Sequence, residues 1–146
     1  MLVIPNDILF GEVERRIAAG ERVLIRLQGE SMMPMMRGGR DVVELGPLDG
    51  GDIRRGTVVL CRYRGRHILH RIVKVEEDRL TLMGDGNLQP EKVAAADVVA
   101  VMRSLHRPSG RVITASSRSW KVCSAVWLAL RPARRYILGA MRRITK

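Results

Sequence analysis

The stretch that decides the fold is His67-Ile68-Leu69-His70-Arg71-Ile72-Val73-Lys74-Val75-Glu76-Glu77-Asp78-Arg79-Leu80-Thr81-Leu82-Met83. An apolar, β-branched run at 67–75 meets a short acidic break, and a second run follows at 79–83. This pattern predicts two strands joined by a polar hairpin loop at Glu76-Glu77-Asp78. Outward from it, residues 22–28, 41–45, 57–63 and 97–102 have the same character. The segment between 45 and 57 is dense in Gly, Pro and Asp, and Gly84-Asp85-Gly86-Asn87 is a tight turn. Residues 6–19 predict a leading helix capped by Asn6 or Asp7, with Ile8, Leu9, Val13, Ile17 and Ala18 as its buried stripe and Gly20 as its stop. Six short strands behind one helix imply a mainly β fold, a small coiled sheet or open barrel.

Charge divides the chain. Residues 1–102 hold 15 Lys+Arg and 15 Asp+Glu, whereas residues 103–146 hold 11 Lys+Arg and no acid, so the net +11 lies entirely in the last third. A neutral core has no excess charge to neutralise phosphates, which argues against a nucleic-acid-binding domain. The expected organisation is a domain over 1–107 and a basic amphipathic helical tail over 108–146. Within the tail, the apolar run Trp120 to Leu130 and the Arg-rich stretch 131–143 predict two helical pieces broken near Pro132. Trp among clustered Arg is the composition of an interfacial helix, so residues 115–146 are expected to attach peripherally to anionic membrane. Nucleic acid and a partner protein are the alternatives for this tail. No apolar run reaches 18 residues, and the N-terminus lacks a basic n-region, so neither a transmembrane span nor a signal peptide is expected. Cys61 and Cys123 form no CxxC, and His67, His70 and His106 have no metal-ligand spacing, so no metal or other cofactor is expected.

Three residues could carry chemistry. Ser31 sits in Gly29-Glu30-Ser31-Met32-Met33-Pro34-Met35-Met36, and Pro34 restricts Met33 to extended conformations. Such a loop can present a hydroxyl and the adjacent N–H in one direction, as a nucleophile requires. It can equally be a turn with methionines in the core. Strand alternation places His70 on one face with Ile68, Ile72 and Lys74, either as a general base or as a satisfied core histidine. Lys74 is a lesser candidate for the base. Asp85 is either a plain turn residue or the orienter of His70 in a Ser-His-Asp arrangement.

In order, these segments carry a resemblance: Gly29-Glu30-Ser31-Met32-Met33-Pro34, Gly51-Asp52-Ile53, His70-Arg71-Ile72-Val73 and Gly84-Asp85-Gly86-Asn87. Over about residues 22–102 the chain resembles the type I signal peptidases, which are related to the LexA-like self-cleaving repressors. Where most bacterial members have a lysine before Arg, this chain has His70, so it looks like the Ser-His branch found in archaeal, endoplasmic-reticulum and sporulation-type enzymes. The resemblance implies a serine endopeptidase for leader or signal peptides, with Ser31 as nucleophile, His70 as base, Asp85 as third member, and Met32, Met33 and Pro34 against the substrate. It also implies the family's β-rich fold and a preference for small side chains before the cut, in a peptide that adds to a sheet edge. The family often places a serine two residues before the nucleophile as an oxyanion donor. Gly29 stands there, removing a donor that contributes roughly 3 kcal/mol in well-studied proteases.

The chain also departs from the family pattern by having no apolar span at either end. Cytoplasmic placement, peripheral at the inner face of the cytoplasmic membrane, is therefore expected, with the methionines beside Ser31 as a further lipid-facing candidate. Two other readings stand beside the peptidase: an inactive peptide-binding accessory module, and a LexA-like self-cleaving regulator, for which Ala19-Gly20 would be the cleavage site.

Overall fold

The 67–83 stretch folds as an antiparallel hairpin, β4 (Arg66–Glu76) and β5 (Arg79–Met83), closed by a two-residue turn in which Glu77 has φ +51°. The computed structural model describes residues 6–144, with side chains from Phe10 onward. The caps Asn6 and Asp7 and the stripe positions Ile8 and Leu9 lie outside the described side chains. Helix α1 (Asn6–Ala18) buries Val13 and Ile17 and gives way to Gly20 at φ +85°.

Eight strands form one antiparallel sheet. Besides β4 and β5 they are β1 (Val23–Arg26), β2 (Val42–Gly46), β3 (Val58–Tyr63), β6 (Glu91–Ala94), β7 (Val98–His106) and β8 (Val112–Thr114). Their order is β1-β2-β7-β3-β4-β5-β6, with β8 added beside β7. β3 and β4 are joined by Arg64-Gly65, both at positive φ, the backbone that a twisted two-residue hairpin turn requires. Register shifts at Glu44/Leu45, Leu60/Cys61 and Ile72/Lys74 bend β2, β3 and β4. The protein is thus mainly β, a curled half-barrel with a helix at each end of the chain, as expected. Two strands, β6 and β8, add to the predicted six.

The sheet has two apolar faces. One packs Ile25, Leu45, Leu60, Met102 and Leu105 against Val13 and Ile17 of α1, and the other gathers Val59, Cys61, Ile72, Leu80, Leu82 and Val101. Met32 and Met36 are buried in the first cluster and Met35 packs against it. The methionines expected to face lipid are therefore mostly core, where an unbranched thioether fills irregular space.

Residues 108–119 contain β8, and the segment beyond them is packed on the sheet. Helix α2 (Arg118–Ala129) is capped by Ser117 Oγ, which accepts from the Trp120 N–H at 3.2 Å. A 3-10 turn with Pro132 leads into α3 (Arg134–Ile144), so the expected break near Pro132 is present. Trp120, Trp127, Leu128, Leu138 and Arg134 are buried. Both tryptophans expected at a membrane surface therefore belong to the interior. The exposed apolar stripe is instead Val122 and Val126 on α2 with Leu130 at its C-cap, and Tyr136 and Ile144 on α3. Among the described residues, no helix is long and apolar enough to cross a membrane.

Candidate active site

Two strand edges face each other across a gap. Among the described residues β1 pairs only with β2, and residues 66–70 of β4 pair only with β3, because β5 joins β4 from Arg71 onward. A cleft of about 190 Å³ lies there, lined by Ile25–Gly29 on one side and His67–His70 on the other. Leu60, Met32 and Met36 also line it, and Phe10 of α1 stacks on His67 with ring centroids 4.8 Å apart. Ser31 and His70 both line this cleft.

The Ser31 loop is clamped by close backbone approach. A Cβ on Gly38 would lie 1.9 Å from Gly29 O. One on Gly84 would lie 2.3 Å from Ser31 O and 3.0 Å from His70 Nε2, and one on Gly86 would lie 2.4 Å from Glu30 O. The Gly86 N–H donates to Ser31 O at 2.8 Å, and the Asn87 N–H closes the turn on Gly84 O at 2.9 Å. The Gly84-Asp85-Gly86-Asn87 turn therefore sits against the serine loop, with His70 Nε2 over the same glycine. Residues 31–36 form a turn-rich loop. They make successive turns through Met33 N–H to Glu30 O and Met36 N–H to Met32 O, and the Met33–Pro34 peptide is cis.

His70 is buried, and its Nδ1 is 2.5 Å from Glu91 Oε1. That contact orients the ring with Nε2 toward the serine loop. Asp85 does not hold the histidine. Both its oxygens accept from Arg71, Nε at 2.8 Å and Nη2 at 2.7 Å, and both residues are fully buried. Arg71 Nη1 also donates to Gly56 O and to Ser124 Oγ. A carboxylate committed to a guanidinium fork has its strongest acceptor directions used. The acid that holds His70 is therefore Glu91, not the Asp85 expected from the sequence. Sequence reading missed Glu91 because it follows Pro90 in a four-residue strand and reaches His70 only through the β4–β5–β6 ladder.

The remaining candidates sort readily. Lys74 is exposed and paired with Glu76 at 2.6 Å, because the irregularity at Ile72/Lys74 breaks the alternation that put it beside His70. Met32 lines the cleft, whereas Met33 and Pro34 do not; Met33 turns its backbone toward Gly86. Asp52 accepts from Arg103 at 2.9 Å and anchors the 47–57 loop to β7. Burial pushes its carboxyl up, but the Arg103 hydrogen bond, the Asp49 N–H and the nearby charges outweigh this and hold it below the ordinary value. Burial likewise pushes the Cys61 thiol up to about 12, leaving it unreactive at neutral pH.

Among the described residues, neither the N–H nor the Oγ of Ser31 is engaged in a hydrogen bond. A nucleophile and an oxyanion donor both need this freedom, and base-to-nucleophile bonds commonly tighten only around a substrate. No group of three or more His, Cys, Asp or Glu among the described residues is arranged to hold a metal ion. No family model matches the chain, and no curated protein matches it.

Proposed function

We propose that this chain is a serine endopeptidase of the signal-peptidase kind, acting on leader- or signal-type peptides. The observation that carries the proposal is the meeting of Ser31 and the Glu91-held His70 at one cleft between two open strand edges. A substrate enters as an extended strand between β1 and the first half of β4, bonded through its main chain. Ser31 Oγ attacks the scissile carbonyl carbon while His70 Nε2 takes the hydroxyl proton. The oxyanion meets the Ser31 N–H, and Glu91 stabilises the imidazolium. Breaking the C–N bond, with the proton returned to the leaving amine, gives an acyl-serine that water then hydrolyses. The resemblance to signal peptidases adds a preference for short side chains beside the cut.

The proposed place of action is the cytoplasm, at the inner face of the cytoplasmic membrane, with α2 and α3 resting on anionic lipid. Support comes from the exposed stripe Val122, Val126 and Leu130, from exposed Arg118, Lys121, Arg131, Arg135 and Arg143, and from the lack of acids after residue 102.

The test is cleavage of a panel of leader-like peptides by wild type, Ser31→Ala and His70→Ala. Each substitution is expected to lower turnover by about 10⁴-fold or more while leaving folding intact. Cleavage that survives Ser31→Ala overturns the proposal. Tight peptide binding by the wild type with no cleavage replaces it with the accessory-module reading.

A further inference from the structure

The turn that faces the Ser31 loop is gripped from its other side by the C-terminal helices. Trp127 Nε1 donates to Asp85 O at 3.0 Å. Arg134 Nη1 donates to Gly84 O at 3.3 Å and to Asn87 O at 3.4 Å, and Arg142 Nη2 donates to Gly86 O at 3.4 Å. Four successive carbonyls of one turn therefore accept from three side chains of α2 and α3. The guanidinium of Arg134 lies 5.2 Å from the Trp127 ring centroid, so the two grip as a unit. From α2, Ser124 and Trp120 also reach Arg71, the partner of Asp85, through a 2.7 Å hydrogen bond and a ring face 5.3 Å from its guanidinium.

This arrangement is costly for mere core closure. Arg134 is 1% exposed, and its Nε and Nη2 have no hydrogen-bond partner. Burying a cation with unmatched donors opposes folding, and a leucine would fill the same space without that penalty. Desolvation pushes the Arg134 guanidinium toward its neutral form, which points the same way. What Arg134 supplies that a leucine would not is a fixed position for the turn. That position matters because the turn's Gly86 N–H holds Ser31 O and its Gly84 lies under His70 Nε2.

We infer that α2 and α3 form the outer wall of the active site, and that Trp127 and Arg134 are positioning residues that set the Gly84–Asn87 turn, and through it the register of Ser31 against His70. The inference rests on the peptidase reading of that site. A displacement of about 1 Å in such a constellation can cost about 100-fold in rate without weakening substrate binding.

The experiment uses the full chain and a fluorophosphonate probe that forms a covalent bond to an activated serine oxygen with loss of fluoride. Labelling rates at Ser31 are compared for wild type, Trp127→Phe, Arg134→Met and Arg134→Lys, at a temperature where circular dichroism shows each fully native. Peptide affinity is measured in parallel in a Ser31→Ala background. Trp127→Phe and Arg134→Met are expected to label roughly 10- to 100-fold more slowly, with peptide affinity within about twofold of wild type and Arg134→Lys largely restored. If Arg134→Met does not fold, Trp127→Phe, which keeps a buried ring and removes one donor, decides alone. Variants that label at the wild-type rate, or that lose affinity in step with labelling, overturn the inference and leave the peptidase reading standing. A wild type that does not label at Ser31 overturns both.

Discussion

Arg71 and His70 are adjacent on β4, and each has its own carboxylate, Asp85 for the guanidinium and Glu91 for the imidazole. The two acids should therefore fail in different ways when removed. Asp85→Ala leaves Arg71 buried without its counter-charge, and is expected to lower unfolding free energy by about 3–5 kcal/mol. Glu91→Gln keeps the volume and an acceptor for the ring but removes the charge that stabilises an imidazolium. Turnover should fall by about 10²-fold or more, while stability changes by about 1 kcal/mol. Urea unfolding beside steady-state cleavage separates them, and wild-type turnover in Glu91→Gln would remove Glu91 from the mechanism. Ser31 and His70 were readable as candidates because each lies in a short local pattern. Glu91 was not, because only pairing across three strands brings it to His70. The Asp85–Arg71 pair was hidden for a related reason. An Asp between glycines suggests an exposed turn, and nothing local shows that this turn is buried beneath α2.

The 29–41 loop is the element on which the site depends, and buried Asp41 is its brace. Asp41 accepts from the Arg37 N–H at 2.8 Å, Arg40 Nε at 3.0 Å and Arg107 Nη1 at 2.6 Å, while Arg107 also donates to Met35 O. Burial pushes the Asp41 carboxyl up, but the Arg40 hydrogen bond, the Arg37 N–H and the charges of Arg107 and Arg40 outweigh it and hold it below the ordinary value. A carboxyl lowered in the folded state contributes stability above its unfolded value, and that contribution is lost as pH falls through the folded value. The urea midpoint is therefore expected to drop below about pH 4, with a shallower drop in Asp41→Asn. Equal pH slopes for the two proteins would show that Asp41 is no brace. At this scale the strands with continuous apolar runs were legible. β7 extends beyond its predicted end at residue 102 because polar Arg103 and Ser104 find partners in Asp52 and Glu44, and β8 is three residues in a Ser- and Gly-rich stretch.

For the whole molecule, most of the surplus charge lies on helices that are packed on the folded body. Those helices hold Trp120 and Trp127 inside and present Val122, Val126 and Leu130 outside, among exposed cations. Attachment to lipid through that face should need both components. Co-sedimentation with phosphatidylglycerol vesicles is expected to weaken with salt, to be absent with phosphatidylcholine, and to fall at least tenfold in Val122→Asp/Val126→Asp. Equal binding by that double variant would discard the lipid-facing role of α2. The sequence revealed the amount and location of the charge. It could not reveal which side of each helix faces water, because Trp and Val contribute alike to an apolar stretch.

The open edges of β1 and β4 bear on turnover as well as recognition. In the proposed reaction one continuous strand spans the gap and its main-chain bonds act together, because a single loss of translational freedom serves them all. Cutting that strand divides the bonds between two fragments, each of which must bind on its own entropy cost. A slot made for an intact strand thus holds its products weakly, and cleavage itself clears the enzyme for the next peptide.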